Sequence, residues 1–255
     1  MKLGMCASPD NLEKVVAYGF DYIEIGVTTV GDLSEEDFAK VKARFDAAPI
    51  NCEAANVMLP GPRFHVTGPN ANHDFIVNYL ETAFARLAAL GCKSVVLGSG
   101  GARRIPEGFD EKEAHWQMVM ACRKIADVAA KNDITIVLEP LNRGETNIVN
   151  SVEEGAWLVD EVAHPNFKLL ADIYHMALEN EPYENLIKYQ KDLRHIHLSH
   201  PTNRNICKEN DGGEYDYFFD VVKKANYDGR ISIECRIENF EEEVPVAEKY
   251  VRSFM

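Results

Sequence analysis

The sequence predicts an α/β protein built as a single (β/α)8 barrel over residues 1–255. Three observations support this. Short β-rich segments alternate with helix-forming segments eight times, which suits the size of such a barrel. No composition break or low-complexity linker divides the chain. Carboxylates and histidines recur at the ends of the last four strand segments, where a barrel would gather them on one rim. Alternation alone also fits a doubly wound open sheet, so the third observation decides.

The elements follow in order. Residues 2–7 (KLGMCA) and 22–27 (YIEIGV) are β-rich runs, with Asn11 a candidate helix N-cap between them. Ser34, followed by acidic residues, is expected to cap the next helix. Residues 51–58 (NCEAANVM) form a third strand segment. Residues 74–90 then carry Phe75, Leu80, Phe84, Leu87 and Leu90 near one helical face, and Gly91 stands where that helix should end. Residues 94–98 (SVVLG) precede a long amphipathic helix over 111–131. Residues 134–139 (ITIVLE) end in Glu139 and are stopped by Pro140, and Ser151 is expected to cap the helix after them. Residues 168–174 (KLLADIY), 195–199 (HIHLS) and 231–235 (ISIEC) complete the set.

Composition narrows the function. A 46% hydrophobic content supports a large core, and no apolar run is long enough to cross a membrane. The first residues, MKLGMCASPDN, lack the long apolar segment of a signal peptide, so the expected location is cytoplasmic. The six scattered cysteines form no Cys-x-x-Cys pair, which points to reduced thiols rather than a disulfide framework. A net charge of −14 disfavours a nucleic-acid partner.

Glu139 ends strand 5, Asp172 and His175 close strand 6, His197 lies late in strand 7 and Glu234 late in strand 8. Two glutamates, one aspartate and one imidazole make a hard, oxygen-rich set. It suits Mn²⁺, Co²⁺ or Mg²⁺ better than a structural Zn²⁺ site, although Zn²⁺ stays open. Taken singly, each has an ordinary reading: a salt-bridged glutamate, a helix-capping aspartate, a core histidine. Their coincidence on four successive strands favours one shared divalent ion.

The segments VLEPLNRGETN, LLADIYHM, HIHLSH, DGGEYDY and ISIECR carry a family resemblance. Through them the chain resembles the xylose isomerase-like TIM barrels of the sugar phosphate isomerase/epimerase group, most of all the ketose 3-epimerases. The resemblance implies that Glu139, Asp172, His197 and Glu234 ligate the metal, with Mn²⁺ the leading choice. It implies that Glu139 and Glu234 exchange protons at opposite faces of the reacting carbon, and that Glu145 and His175 hold substrate hydroxyls. It further implies a small ketose or ketose phosphate as substrate, and a homodimer or homotetramer. Hydroxypyruvate-type isomerisation, inosose-type dehydration and C-glycoside cleavage are the alternatives on the same barrel. A nuclease resembling endonuclease IV fits less well, because the acidic balance supplies no basic groove.

Two segments depart from the epimerase pattern. In HLSHPTNR, His200 stands near an acidic position, and the substrate-binding arginine, Arg204, comes one residue late. In GSGGARRIPEG, glycines followed by Arg103 and Arg104 could cradle a phosphate or carboxylate, or form an ordinary turn. Glu24 and Asn56 could face the barrel interior, and Phe64, His65 and Trp116 could wall the substrate.

Overall fold

The computed structural model describes all of residues 1–255. Eight parallel strands close into a barrel in sequence order: β1 (Lys2–Cys6), β2 (Tyr22–Gly26), β3 (Cys52–Asn56), β4 (Ser94–Leu97), β5 (Thr135–Leu138), β6 (Phe167–Asp172), β7 (Leu193–Leu198) and β8 (Arg230–Ile233). Closure comes from β1 pairing with β8, where Met5 lies opposite Ile233. The helices are α1 (Leu12–Ala17), α2 (Thr28–Gly31), α3 (Glu35–Ala47), α4 (His73–Ala89), α5 (Gly100–Arg103), α6 (Glu111–Ala130), α7 (Val152–Val162), α8 (Ile173–Leu178), α9 (Asn185–Lys188), α10 (Tyr215–Lys224) and α11 (Phe240–Arg252). None is long and apolar enough to cross a membrane.

Most apolar side chains fill the space between strands and helices in one core of 67 buried residues, including Ile23, Leu97, Ile136 and Phe84. Val96, Val137 and Leu170 form a separate cluster. Side chains two apart share a strand face, so these three occupy the barrel interior below Gly98, Glu139 and Asp172. Gly4 lets this interior close, because a Cβ there would lie 2.2 Å from the Tyr22 ring.

Ser34 and Ser151 cap their helices, accepting from the backbone N–H of Asp37 and Glu154. Asn11 does not cap α1 through its side chain; Ser8 instead accepts from Asp10 N at a short 3-10 turn. The 168–174 strand segment ends two residues early. Asp172 accepts from Tyr174 N and so begins α8 where the apolar pair Ile173–Tyr174 suggested continued strand. On α4, Ile76, Tyr79, Leu80, Ala83, Phe84 and Leu87 are buried, whereas Phe75 is 42% exposed and rests against Phe64. Trp116 on α6 is 61% exposed on the barrel's outside, so it walls no substrate. The six cysteines are free thiols, with Cys6 and Cys235 partly exposed and the others buried.

Candidate metal and sugar site

Strand ends build the site. Glu139 and Glu234 each follow the last residue of their strand, yet remain on the ladder: Glu139 N donates to Leu97 O at 3.2 Å, and Glu234 N to Leu198 O at 3.0 Å. Asp172 pairs in register with His197. One ligand atom from each of Glu139, Asp172, His197 and Glu234 lies within 4.8 Å of the others. Such convergence of three carboxylates is costly unless a cation sits among them.

His197 Nδ1 faces the cluster, 3.1 Å from Glu139 Oε1 and 3.4 Å from Glu234 Oε2. Its Nε2 donates to Glu24 Oε1 at 3.1 Å. A histidine that gives its outer N–H to a carboxylate is held in the tautomer a metal ligand requires. Glu24 is fully buried; its other oxygen accepts from His195 Nε2 at 2.9 Å and from Ser232 Oγ at 2.6 Å. Tyr22 O–H extends the network to Ser232 at 2.7 Å. Burial opposes the charge on Glu24, but His197 and His195 outweigh it and hold the carboxyl well below its usual range.

The electrostatics separate the cluster members. Burial, reinforced by Glu139, pushes the Asp172 carboxyl up to about 8. Burial also raises Glu139, against the pull of His197. At Glu234 burial is overcome by His197 and Arg204, which hold its pKa down at about 2. Burial disfavours a charged His197, yet Glu234 and Glu24 keep its pKa well above normal.

The residues fit a divalent ion on one further observation. Asp172 Oδ1 is occupied by Tyr174 N, while Oδ2 is buried and has no hydrogen-bond partner. An orphaned carboxylate oxygen amid three other ligand side chains fits a hard cation. The sulfur-free set Glu139, Asp172, His197 and Glu234 suits Mn²⁺, Mg²⁺ or Co²⁺.

Around the cluster lies a cavity of about 290 Å³, lined among others by Asn56, Gly98, Glu139, Glu145, Arg204 and Glu234. Asn56 donates to Glu234 Oε1 at 3.0 Å. Arg204 hydrogen-bonds Glu234 through Nη2, lies 3.3 Å from Glu145 Oε1, and stacks 5.0 Å over the Tyr174 ring. His175 Nδ1 accepts from Asn142 N at 3.2 Å and from Asn142 Nδ2 at 2.8 Å, which leaves Nε2–H as donor on the side of Asp172 and Arg204. Burial and the Arg204 charge push His175 down to about 3, so it is a neutral donor. Glu145 does not touch His175 directly; Asn142 lies between them, its Nδ2 3.2 Å from Glu145 Oε1. A larger cavity of about 950 Å³ opens at the opposite rim, around the strand starts Ser94, Thr135, Leu193 and Arg230, far from these donors.

Arg103 and Arg104 do not cradle an anion. Arg103 is fully buried, with Nη2 donating to Glu139 O at 2.6 Å. Arg104 is exposed and reaches Gly144 O at 3.1 Å. Neither lines the cavity, because the short turn of α5 sends one guanidinium inward behind β5 and the other outward. His200 also stays apart, its Nε2 2.9 Å from Asp211 O and its Nδ1 bound by Thr202. Phe64 is fully buried against Tyr79 and Arg63, and is a packing residue.

Residues 12–253 match the family model of the xylose isomerase-like TIM barrel. The chain belongs to that family. It is 28% identical over 153 residues to a hydroxypyruvate isomerase of Escherichia coli, covering 58% of this chain and 57% of that protein. Similarity to an L-ribulose 3-epimerase of a Methylomonas species is 34% over 128 residues, or 50% of this chain and 44% of that one. The matched segments thus span about half the length of these curated relatives. The crystal structure of a D-allulose 3-epimerase from Methylomonas in complex with D-allulose superposes with a TM-score of 0.87 at 24% identity, covering 100% of this chain and 97% of that one.

Proposed function

We propose that this family member is a divalent-metal-dependent epimerase or isomerase of a small sugar, of the ketose 3-epimerase type. The observation that carries the reading is the convergence of Glu139, Asp172, His197 and Glu234, with one aspartate oxygen unpartnered, beside a cavity of about 290 Å³. That volume lies near the lower end of small-molecule pockets, roughly 300–1,000 Å³. Relatives named for ketose epimerisation and hydroxypyruvate isomerisation support the same chemistry, movement of a proton beside a carbonyl.

A divalent ion held by Glu139, Asp172, His197 and Glu234 would supply Lewis-acid stabilisation of negative charge on neighbouring sugar oxygens. The protein's own groups do the rest. Glu139 and Glu234 both meet His197 Nδ1, at 3.1 and 3.4 Å, and their pKa values are pushed in opposite directions. Such a separation lets one carboxyl deliver a proton while the other removes one. Removal from one face of the reacting carbon and delivery at the other inverts the centre, and reaction direction decides which glutamate does which. His175 Nε2–H donates to a sugar oxygen, and Glu145 accepts from a hydroxyl at the cavity edge. Arg204 tethers Glu234 and orients a hydroxyl.

An unphosphorylated ketose is the preferred substrate, because Arg103 is sealed behind Glu139 and Arg104 lies outside. The second reading, hydroxypyruvate-type isomerisation, is favoured by the similarity to the Escherichia coli enzyme. A sugar panel incubated with Mn²⁺ in D₂O and followed by NMR tests both. Epimerisation incorporates one carbon-bound deuterium in a ketose with inversion and no loss of water. Isomerisation of hydroxypyruvate alone would assign the second reading, and no exchange with any compound would reject both.

A further inference from the structure

Cys6 ends β1 at the same rim. Gly4 faces the barrel axis, against the Tyr22 ring, and Cys6 two residues on shares that face one level higher. Met5 pairs with Ile233, so the next residues along the two strands, Cys6 and Glu234, are neighbours. Cys6 Sγ, a His197 nitrogen and a Glu234 carboxylate oxygen lie within 4.8 Å of one another. His197 and Glu234 also belong to the Glu139–Asp172–His197–Glu234 group, which meets the same limit. Two donor sets therefore overlap at one place. One is three carboxylates and an imidazole; the other is a thiol, an imidazole and a carboxylate.

We propose that Cys6, His197 and Glu234 form a second, competing site for thiophilic divalent cations such as Zn²⁺ or Cd²⁺. The inference rests on the reading above that His197 and Glu234 face an ion. Oxygen-seeking ions such as Mn²⁺ or Mg²⁺ gain little from sulfur and settle among the carboxylates. A softer ion gains a metal–sulfur bond by moving toward β1, and the thiol proton leaves to solvent as that bond forms. Because two ligands are shared, the rim holds one ion or the other. A thiophilic ion thereby excludes the hard one and draws His197 and Glu234 away from Glu139 and Asp172. Cys6 makes the centre sensitive to zinc and cadmium, and sets which metals the protein tolerates.

The test uses the full chain after chelator treatment. Mn²⁺ titration calorimetry reports on the carboxylate set; Cd²⁺ titration, read by calorimetry and by near-ultraviolet sulfur-to-metal charge transfer, reports on the thiolate. Wild type should show the charge-transfer band at one equivalent of Cd²⁺, and Mn²⁺ and Cd²⁺ should displace each other. Cys6→Ser and Cys6→Ala should both abolish the band and weaken Cd²⁺ at least about tenfold, with Mn²⁺ affinity kept within about threefold as evidence of an intact fold. Cys235→Ser, which alters the other partly exposed thiol, should leave the band in place. A wild-type Cd²⁺ complex lacking the band overturns the proposal. So does a band that survives loss of Cys6 or disappears with Cys235. A wild type that shows the Cd²⁺ band but binds no Mn²⁺ supports the thiolate site and counts against the carboxylate one, so the two failures are distinct.

Discussion

Glu24 is the buried support of the site, and Glu24→Gln measures what that support contributes. The substitution keeps the shape and changes one oxygen into an N–H₂. All three of its partners are donors: His197 Nε2 at 3.1 Å, His195 Nε2 at 2.9 Å and Ser232 Oγ at 2.6 Å. A carboxylate satisfies them all, whereas a carboxamide sets a donor against a donor on one side. If that side is His197, the imidazole relieves the conflict by moving its proton to Nδ1, the nitrogen that faces Glu139 and Glu234. The lone pair needed for a cation is then lost.

Two routes to the magnitude agree. Losing one hydrogen bond to a charged group costs about 1.5–3 kcal/mol. Changes to groups that support metal ligands cost roughly 10- to 100-fold in affinity, about 1.4–2.7 kcal/mol. Relief of burying a charge does not reverse the sign. The Glu24 pKa is held below its ordinary value, so folding favours the ionised form and its neutral replacement loses that gain. Mn²⁺ titration calorimetry and differential scanning calorimetry on the same samples are the assay. Mn²⁺ affinity should fall by one to two decades, and a loss of about 2 kcal/mol should lower Tm by roughly 4–8 °C. Unchanged Mn²⁺ affinity with an unmoved Tm would refute the role assigned to Glu24.

Further outcomes follow from the same geometry. Glu139→Gln and Glu234→Gln should each reduce solvent deuterium exchange into substrate by at least ~10²-fold, and turnover within a fewfold of wild type in both would remove them from proton transfer. Gly98→Ala should lower Mn²⁺ affinity and turnover together while circular dichroism stays unchanged, because the added Cβ would lie 2.2 Å from Glu139 Oε2. The stabilisation conferred by Mn²⁺ should grow from about pH 6.5 to pH 8. Asp172, pushed up to about 8, and the raised His197 both bind more protons folded than unfolded across this window, so their contribution to stability without added ion declines as pH rises. An ion that pairs with the ionised carboxylate removes the penalty, and a Tm increment that stays flat with pH would contradict it.

The barrel was legible because its signal is coarse. Eight apolar runs separated by helix-length segments survive errors of two residues at either end. Those errors have local causes. Ile173 and Tyr174 read as strand because an apolar pair fits strand or helix equally, and only the Asp172 side chain bonding to Tyr174 N decides. The helices α2, α5 and α9, four residues each, are too short to show a period. Phe75 falls near the same helical face as Leu80 and Phe84 by spacing, but the inward turn is filled by Ile76 and Tyr79, and Phe75 packs beside Phe64 instead.

The rim residues were legible for a different reason: a barrel converts a shared place on a strand into a shared place in space. Glu139, Asp172, His197 and Glu234 needed only that rule. What supports them needed distances. Glu24 belongs to the site because it meets His197 from across the barrel, five strands away in one direction and three in the other. Asn142 matters because it fixes the His175 tautomer, which no spacing announces. Arg103 shows the converse, since a glycine-rich loop with two arginines reads as an anion cradle until the fold turns one guanidinium onto Glu139 O. Cys6 lay within reach of the period-two rule all along: Gly4 faces the barrel axis, so Cys6 two residues on faces it as well, beside Glu234 on the neighbouring strand. A thiol there is chemically unlike every other group on the ring, and for that reason it should govern metal choice rather than proton transfer.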